Sequence, residues 1–257
     1  MQFRESNNYA ELVREFAPSA HAGDPSAEYL TARALKYCSD NIRHFRNKNG
    51  LVRTRSEVEV RVVKYPVGLQ QEILEAYDRC HGFLADSSQP DPLSAWESWL
   101  DKASATGYPP AQSLKADISR QADLMHDSAN ASGGDITPPT YGPARDLALR
   151  AVLSGNPDSI LEMANWVDGT RHSTEEYGSL SGAWQLLACE RGYDDCGPKS
   201  EWLRFVCDWD PQCANDSSVT DFLKRQFGTR FDDVQNLANS IGLAIDQKDQ
   251  QEIESYL

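Results

Sequence analysis

Residues 181 to 213 read SGAWQLLACERGYDDCGPKSEWLRFVCDWDPQC, and this stretch decides the fold class. Ala183, Trp184, Leu187 and Ala188 recur at i, i+1, i+4 and i+5, which places them on one apolar helical face. Gly192 can end that helix, because glycine enters the left-handed region without a Cβ clash. Pro198 suits the first turn of a second helix, where its missing N–H is not needed. Trp202, Phe205 and Val206 continue that helix at i, i+3 and i+4. The expectation is two antiparallel helices across a short turn.

Four of the six cysteines lie in this stretch. Cys189 falls at the turn end of the first helix and Cys196 in the turn. Cys207 falls roughly nine residues into the second helix, about 14 Å along its axis. A disulfide requires Cα atoms within about 7 Å. Cys189 is therefore expected to pair with Cys196, and Cys207 with Cys213. Cys38 and Cys80 then pair with each other. Six cysteines allow about 15 connectivities, so this choice rests on the hairpin.

The chain has 257 residues and a net charge of −14, enough length for one large domain or two small ones. The acidic balance argues against nucleic-acid binding, which needs a cationic surface. No run of about 18 apolar residues exists, so no membrane insertion is expected. The first eight residues are polar and lack the apolar core of a signal peptide. The even cysteine count nevertheless points to an oxidising compartment. The two agree if a signal peptide has been removed and a start Met added, which gives a periplasmic expectation. The alternative is a cytoplasmic protein with reduced thiols.

Outside the 181–213 stretch, helices are expected over Tyr9–Phe16, Ala27–Phe45 and Leu69–Leu84, with Asn47-Lys48-Asn49-Gly50 as a breaker. Leu51–Lys64 is ambiguous. Val58, Val60 and Val62 alternate as in a strand, but a lone strand has no partner. A helix or irregular link is the favoured reading. Trp96, Trp99, Leu100 and Ala103 mark a further helix that ends at Gly107, and Ala111, Leu114 and Ile118 mark the next. Asp127–Gly142 reads as a loop. Leu147, Ala148, Ala151 and Val152 precede Gly155, and Asn156-Pro157-Asp158 reads as a helix start. Arg171–Ser179 reads as a polar connector. Ser217-Ser218 can cap a helix bearing Phe222, Leu223 and Phe227. Helices after Phe231 and over Lys248–Leu257 complete the chain. Residues 1–86 form an N-terminal helical region and 87–257 a repeat region, the two read together as one continuous domain.

Gly107, Gly155 and Gly192 recur at 48 and 37 residues, each between two helical stretches. Such spacing indicates an α-solenoid, in which each helix pair buries its face on its neighbour. The fold class is therefore all-α, an α-solenoid of antiparallel helical hairpins with disulfide clips. Trp99-Leu100-Asp101-Lys102-Ala103, followed by Thr106-Gly107-Tyr108-Pro109-Pro110-Ala111-Gln112, resembles a Sel1-like repeat, a relative of the tetratricopeptide repeat. Leu153-Ser154-Gly155-Asn156-Pro157-Asp158 resembles the turn but lacks the Ala-Gln start. Arg191-Gly192-Tyr193-Asp194 resembles it too, until Cys196-Gly197 interrupts. The resemblance covers roughly residues 93 to 210. The cysteine-bearing form is similar to envelope proteins of gammaproteobacteria. The resemblance implies a non-catalytic adaptor in a protein assembly.

No HExxH, GxSxG, Walker or dinucleotide motif is present, and no cofactor or metal is expected. The five histidines are scattered. The acid pairs Glu175-Glu176, Asp194-Asp195 and Asp232-Asp233 read as helix-start or turn residues, because adjacent side chains on a helix do not face each other. One segment departs from the acidic background. Between Asn41 and Lys64 lie Arg43, Arg46, Lys48, Arg53, Arg55, Arg61 and Lys64 against Glu57 and Glu59, a local charge of +5. This is either a solvated, salt-bridged surface or a docking patch for an acidic partner, with Arg43, Arg46, Arg53 and Arg55 as its contacts. The functional expectation is a periplasmic protein-binding scaffold, one form of which is an immunity protein that caps a secreted toxin. The alternatives are a carboxylate-dependent enzyme on peptidoglycan or another glycan, and a cytosolic repeat adaptor.

Overall fold

Several helix starts are written into the local sequence as side-chain caps, some with proline behind them. Asn8 Oδ1 accepts from the N–H groups of Ala10 and Glu11. Asp24 and Asp91 do the same ahead of Pro25 and Pro92. Asn156 Oδ1 accepts from Asp158 and Ser159 at 3.0 and 3.3 Å ahead of Pro157, as the sequence predicts. These oxygens satisfy orphan N–H groups of the first turn, and proline fixes φ there without losing a needed donor.

The computed structural model of the chain describes residues 6–65, 67–85, 89–130, 142–170, 175–197, 200, 203, 212–213 and 216–257, with the side chains of all but 43, 124–130, 168–170 and 175–177. The helices are α1 (Tyr9–His21), α2 (Pro25–Phe45), α3 (Arg55–Val62), α4 (Val67–Ala85), α5 (Pro92–Ala105), α6 (Pro109–Asn130), α7 (Gly142–Val152), α8 (Pro157–Thr170), α9 (Glu175–Glu190), α10 (Val219–Phe227), α11 (Phe231–Gln247) and α12 (Gln250–Ser255), with a 3-10 turn at Gly228–Arg230. Among the described residues there is no strand, and an isolated bridge joins Arg46 to Val52. The all-α class is correct.

The chain divides into two compact units, Met1–Thr106 with Arg204–Ala214, and Gly107–Leu203 with Asn215–Leu257. In the first, α2 packs on α5 and α1, and α1, α2 and α3 all lean on α4. Its core holds Tyr9, Leu35, Phe45, Val58, Ile73 and Phe83, with Trp96 and Trp99 half-buried against it. Cys38 on α2 and Cys80 on α4 form a disulfide inside this core, Cα to Cα 5.4 Å.

In the second unit, α8 packs along α9, α6 along α7, and α9 also along α11. The Gly155 turn joins α7 and α8, which touch each other less than α7 touches α6 or α8 touches α9. Both helices of the Gly155 turn thus lean mainly on neighbours outside that turn, an arrangement compatible with solenoid layering. Trp166 and Trp184 are wholly buried. The Arg120 guanidinium lies over the Trp166 ring, pairs with Asp117 at 2.6 Å and reaches the Asn165 carbonyl, which stitches α6 to α8. Cys189 and Cys196 form the predicted disulfide at the end of α9, Cα to Cα 5.6 Å. Arg191 beside it grips Asp246 and the Gly242 carbonyl of α11. Cys213 is also disulfide-bonded. Its expected partner Cys207 lies outside the described residues, as does most of the second helix predicted after Pro198.

The turn glycines Gly107, Gly155 and Gly192 have φ of +86°, +76° and +91°. At Gly107 and Gly192 a Cβ would meet nothing within 4 Å, so glycine is required there by conformation and not by space.

Several boundaries differ from expectation. Within Leu51–Lys64, where a helix or irregular link is favoured, only Arg55–Val62 is helical, because Thr54 and Glu57 form a capping box and Val58 and Val62 fall on one buried face at i, i+4. α1 runs past Phe16 and through Pro18, and ends where Gly23 turns left-handed at φ +88°. The predicted 127–142 loop is helical up to Asn130. The 171–179 connector is helical from Glu175, because Leu180 and Ala183 extend the buried stripe of α9 backward. The last helix begins at Gln250 and not at Lys248, which sits left-handed at φ 56° with Asp249 as the cap.

Candidate partner-binding surface

The basic segment is built on a short loop between α2 and α3. Phe45 is fully buried, and its carbonyl accepts from Arg53 N–H at 2.8 Å. Asn47 N–H donates to the Leu51 carbonyl at 2.9 Å, so the chain folds back on itself. Asn47 Oδ1 closes the tip by accepting from the Asn49 and Leu51 N–H groups, and Gly50 takes φ +79°. The buried Tyr77 of α4 donates its hydroxyl to the Arg53 carbonyl at 2.9 Å, which pins the loop to the core. Burial pushes the Tyr77 hydroxyl pKa up, so it remains a donor.

This folding gathers Arg46, Asn47, Lys48, Asn49, Arg53 and Arg61 around one open pocket of about 590 Å³. Among the described residues no carboxylate lines it. Arg53 Nε donates to the Arg46 carbonyl at 3.3 Å, which orients the second guanidinium against the first residue's backbone. Arg46 Nε is itself buried and has no acceptor among the described residues. A buried donor left in that state costs about 1–3 kcal/mol.

Exposed apolar side chains fall in the same stretch of sequence as these cations. Seven large apolar residues are exposed among the described residues, and five of them, Leu51, Val52, Val60, Val63 and Val67, lie between positions 51 and 67. Val60, Val63 and Val67 are 78, 70 and 79% exposed. Val60 points outward because the Val58–Val62 face of α3 already fills the inward side. Five of seven in so short a segment is a concentration and not a scatter of single surface residues.

The four arginines expected to contact a partner separate. Arg46 and Arg53 line the pocket. Arg55 does not. It is bound through Nε to Asp78 Oδ1 at 2.9 Å and through Nη2 to Asp78 Oδ2 at 3.2 Å, and it also meets Glu59. Asp78 holds its pKa above the ordinary arginine value, and its role is to tie α3 to α4. The Arg43 side chain lies outside the described residues. Sequence reading counts Lys48 and Arg61 in the basic segment and Asn47 and Asn49 in a breaker, but names none of the four as a contact. Their signal was present: Arg61 follows the outward Val60, and Asn47 and Asn49 flank a lysine at a turn.

The acid pairs take the structural positions expected. Asp232 and Asp233 stand exposed in the first turn of α11, and Asp194 and Asp195 lie in the turn after α9. Glu175 and Glu176 have side chains outside the described residues. Among the described residues no helix is long and apolar enough to cross a membrane. In comparisons with protein-family models, curated proteins and solved structures, the chain matches none.

Proposed function

We propose that the chain is a protein-binding scaffold of the periplasm that docks an acidic segment of another protein on the surface of α3 and the 46–53 loop. The observation that carries this reading is the exposure of Leu51, Val60, Val63 and Val67 within the same short segment, 46–67, that holds Arg46, Lys48, Arg53 and Arg61. An isolated cationic surface would be satisfied by water. An isolated apolar one would favour any greasy surface. The combination selects a partner that brings carboxylates and apolar side chains together. Covering each outward valine contributes on the order of 1–2 kcal/mol, and the cations supply register and association rate. The buried Cys38–Cys80 pair supports an oxidising compartment, and the Sel1-like resemblance supports an adaptor role. An immunity role against a secreted toxin is one form of this reading.

The test is capture from the cell envelope with the intact chain and with two variants, Arg61→Glu and Val63→Asp. Both side chains are exposed, so the fold should survive. A partner retained by the wild type is expected to be lost with both variants and to bind about tenfold more weakly as salt rises well above physiological strength. A reproducible partner that binds both variants unchanged would refute the site. Absence of any reproducible partner would count against the function.

A further inference from the structure

We infer that the pocket formed by the 46–53 loop and α3 is a binding site for a dianionic oxyanion, the phosphate monoester group of a sugar-sized molecule. The inference does not rest on the protein-binding reading, because the pocket's donors are in place whatever covers the neighbouring valines.

The donor inventory is one-sided. Asn47 Oδ1 is committed to two backbone N–H groups, so its amide has only N–H left to offer. The Arg53 Nε–H is committed to the Arg46 carbonyl, which leaves its two terminal nitrogens. Arg46 lines the pocket as well, although its own Nε–H is buried out of a ligand's reach. Lys48 and Arg61 make no ion pair among the described residues and complete the ring. Three guanidinium groups and one ammonium thus share a pocket without a carboxylate, while Arg55, two residues from Arg53, is neutralised by Asp78. Four cations around one opening repel each other, and a doubly charged ligand relieves this more than a single charge does. One carboxylate presents two oxygens and can serve one guanidinium fork. A tetrahedral monoester presents three and can bridge several.

Size adds the organic part. About 590 Å³ falls in the range of small-ligand pockets and exceeds what one bare oxyanion fills. Leu51 and Val52 are exposed within the same loop, outside the residues that line the pocket.

The experiment uses the full oxidised chain and follows its thermal midpoint and titration calorimetry with inorganic phosphate, a hexose monophosphate and acetate at matched ionic strength. Phosphate is expected to shift the midpoint upward with saturation, and acetate to bind at least about tenfold more weakly. The hexose monophosphate should bind at least as tightly as phosphate. The double variant Lys48→Gln/Arg61→Gln should weaken phosphate by about tenfold or more, while Arg55→Gln, outside the pocket, leaves it unchanged. Acetate equal to phosphate, exclusion of the sugar phosphate, or unaltered binding by the double variant each overturns the proposal. Partner capture has no bearing on these readouts, so either reading can fail alone.

Discussion

The two units hold themselves together with the same three devices, and each device is set differently. Each has a disulfide, a glycine where two helices meet closely, and a carboxylate held by hydroxyls or a cation. In the first unit the disulfide spans 42 residues and is buried to 2 and 1% exposure, whereas in the second it spans 7 and is half-buried at a helix end. The first therefore joins distant helices and the second only trims a turn. The unit that carries the candidate surface is the one with the covalent tie through its core.

The largest way to break this comparison is to remove the ties. In the loop-entropy account, closing 42 residues stabilises by about 4 kcal/mol and closing 7 by about 2.5 kcal/mol. Cys38→Ala/Cys80→Ala should therefore cost more in denaturant unfolding than Cys189→Ala/Cys196→Ala. Equal costs would mean that the tie through the core acts no differently from the clip at the turn.

A second contrast is steric. A Cβ at Gly82 would meet Ala10 Cβ at 2.8 Å and the Asn8 cap oxygen at 2.9 Å, both set by the α1 backbone and its cap. A Cβ at Gly182 would meet the far edge of the Phe227 ring at 2.7 Å, which can swing. Gly82→Ala should thus destabilise by about 1–3 kcal/mol. Gly182→Ala should come out near neutral, because a gain of about 1 kcal/mol in helix propensity offsets the ring's shift. Thermal unfolding of the two variants checks the sign.

The smallest contrast is in acid. Glu57 is held below the usual carboxylate range by the Thr54 N–H and hydroxyl, and Asp221 by the hydroxyls of Ser217 and Ser218. A depressed folded-state pKa contributes stability that is present above the unfolded value and is lost as pH falls through the folded one. Glu57→Gln and Asp221→Asn should each flatten the fall in thermal midpoint on acidification and leave its slope above neutrality unchanged. Glu57 is exposed and Asp221 only half-buried, so the effects will be modest.

Much of the fold was legible because its signals are local. Asn156, Ser218 and the three turn glycines act on residues within a turn of themselves. The Cys189–Cys196 pairing followed from helix length alone. The basic segment was legible as charge, but its division was not. Nothing near Arg55 in sequence says that Asp78, 23 residues on, will capture it and leave Arg46 and Arg53 to the pocket. Likewise, the alternating valines of 58–63 fit two periods. What decided between them was the capping box at Thr54 and the core that Val58 and Val62 enter.

Every residue that lines the pocket lies between Cys38 and Cys80, so the candidate surface belongs to a covalently closed ring. A protease that nicked the exposed Asn49-Gly50 tip would open that ring without releasing a piece. The two ends would stay joined through sulfur, and the wounded molecule would come apart only in a reducing environment.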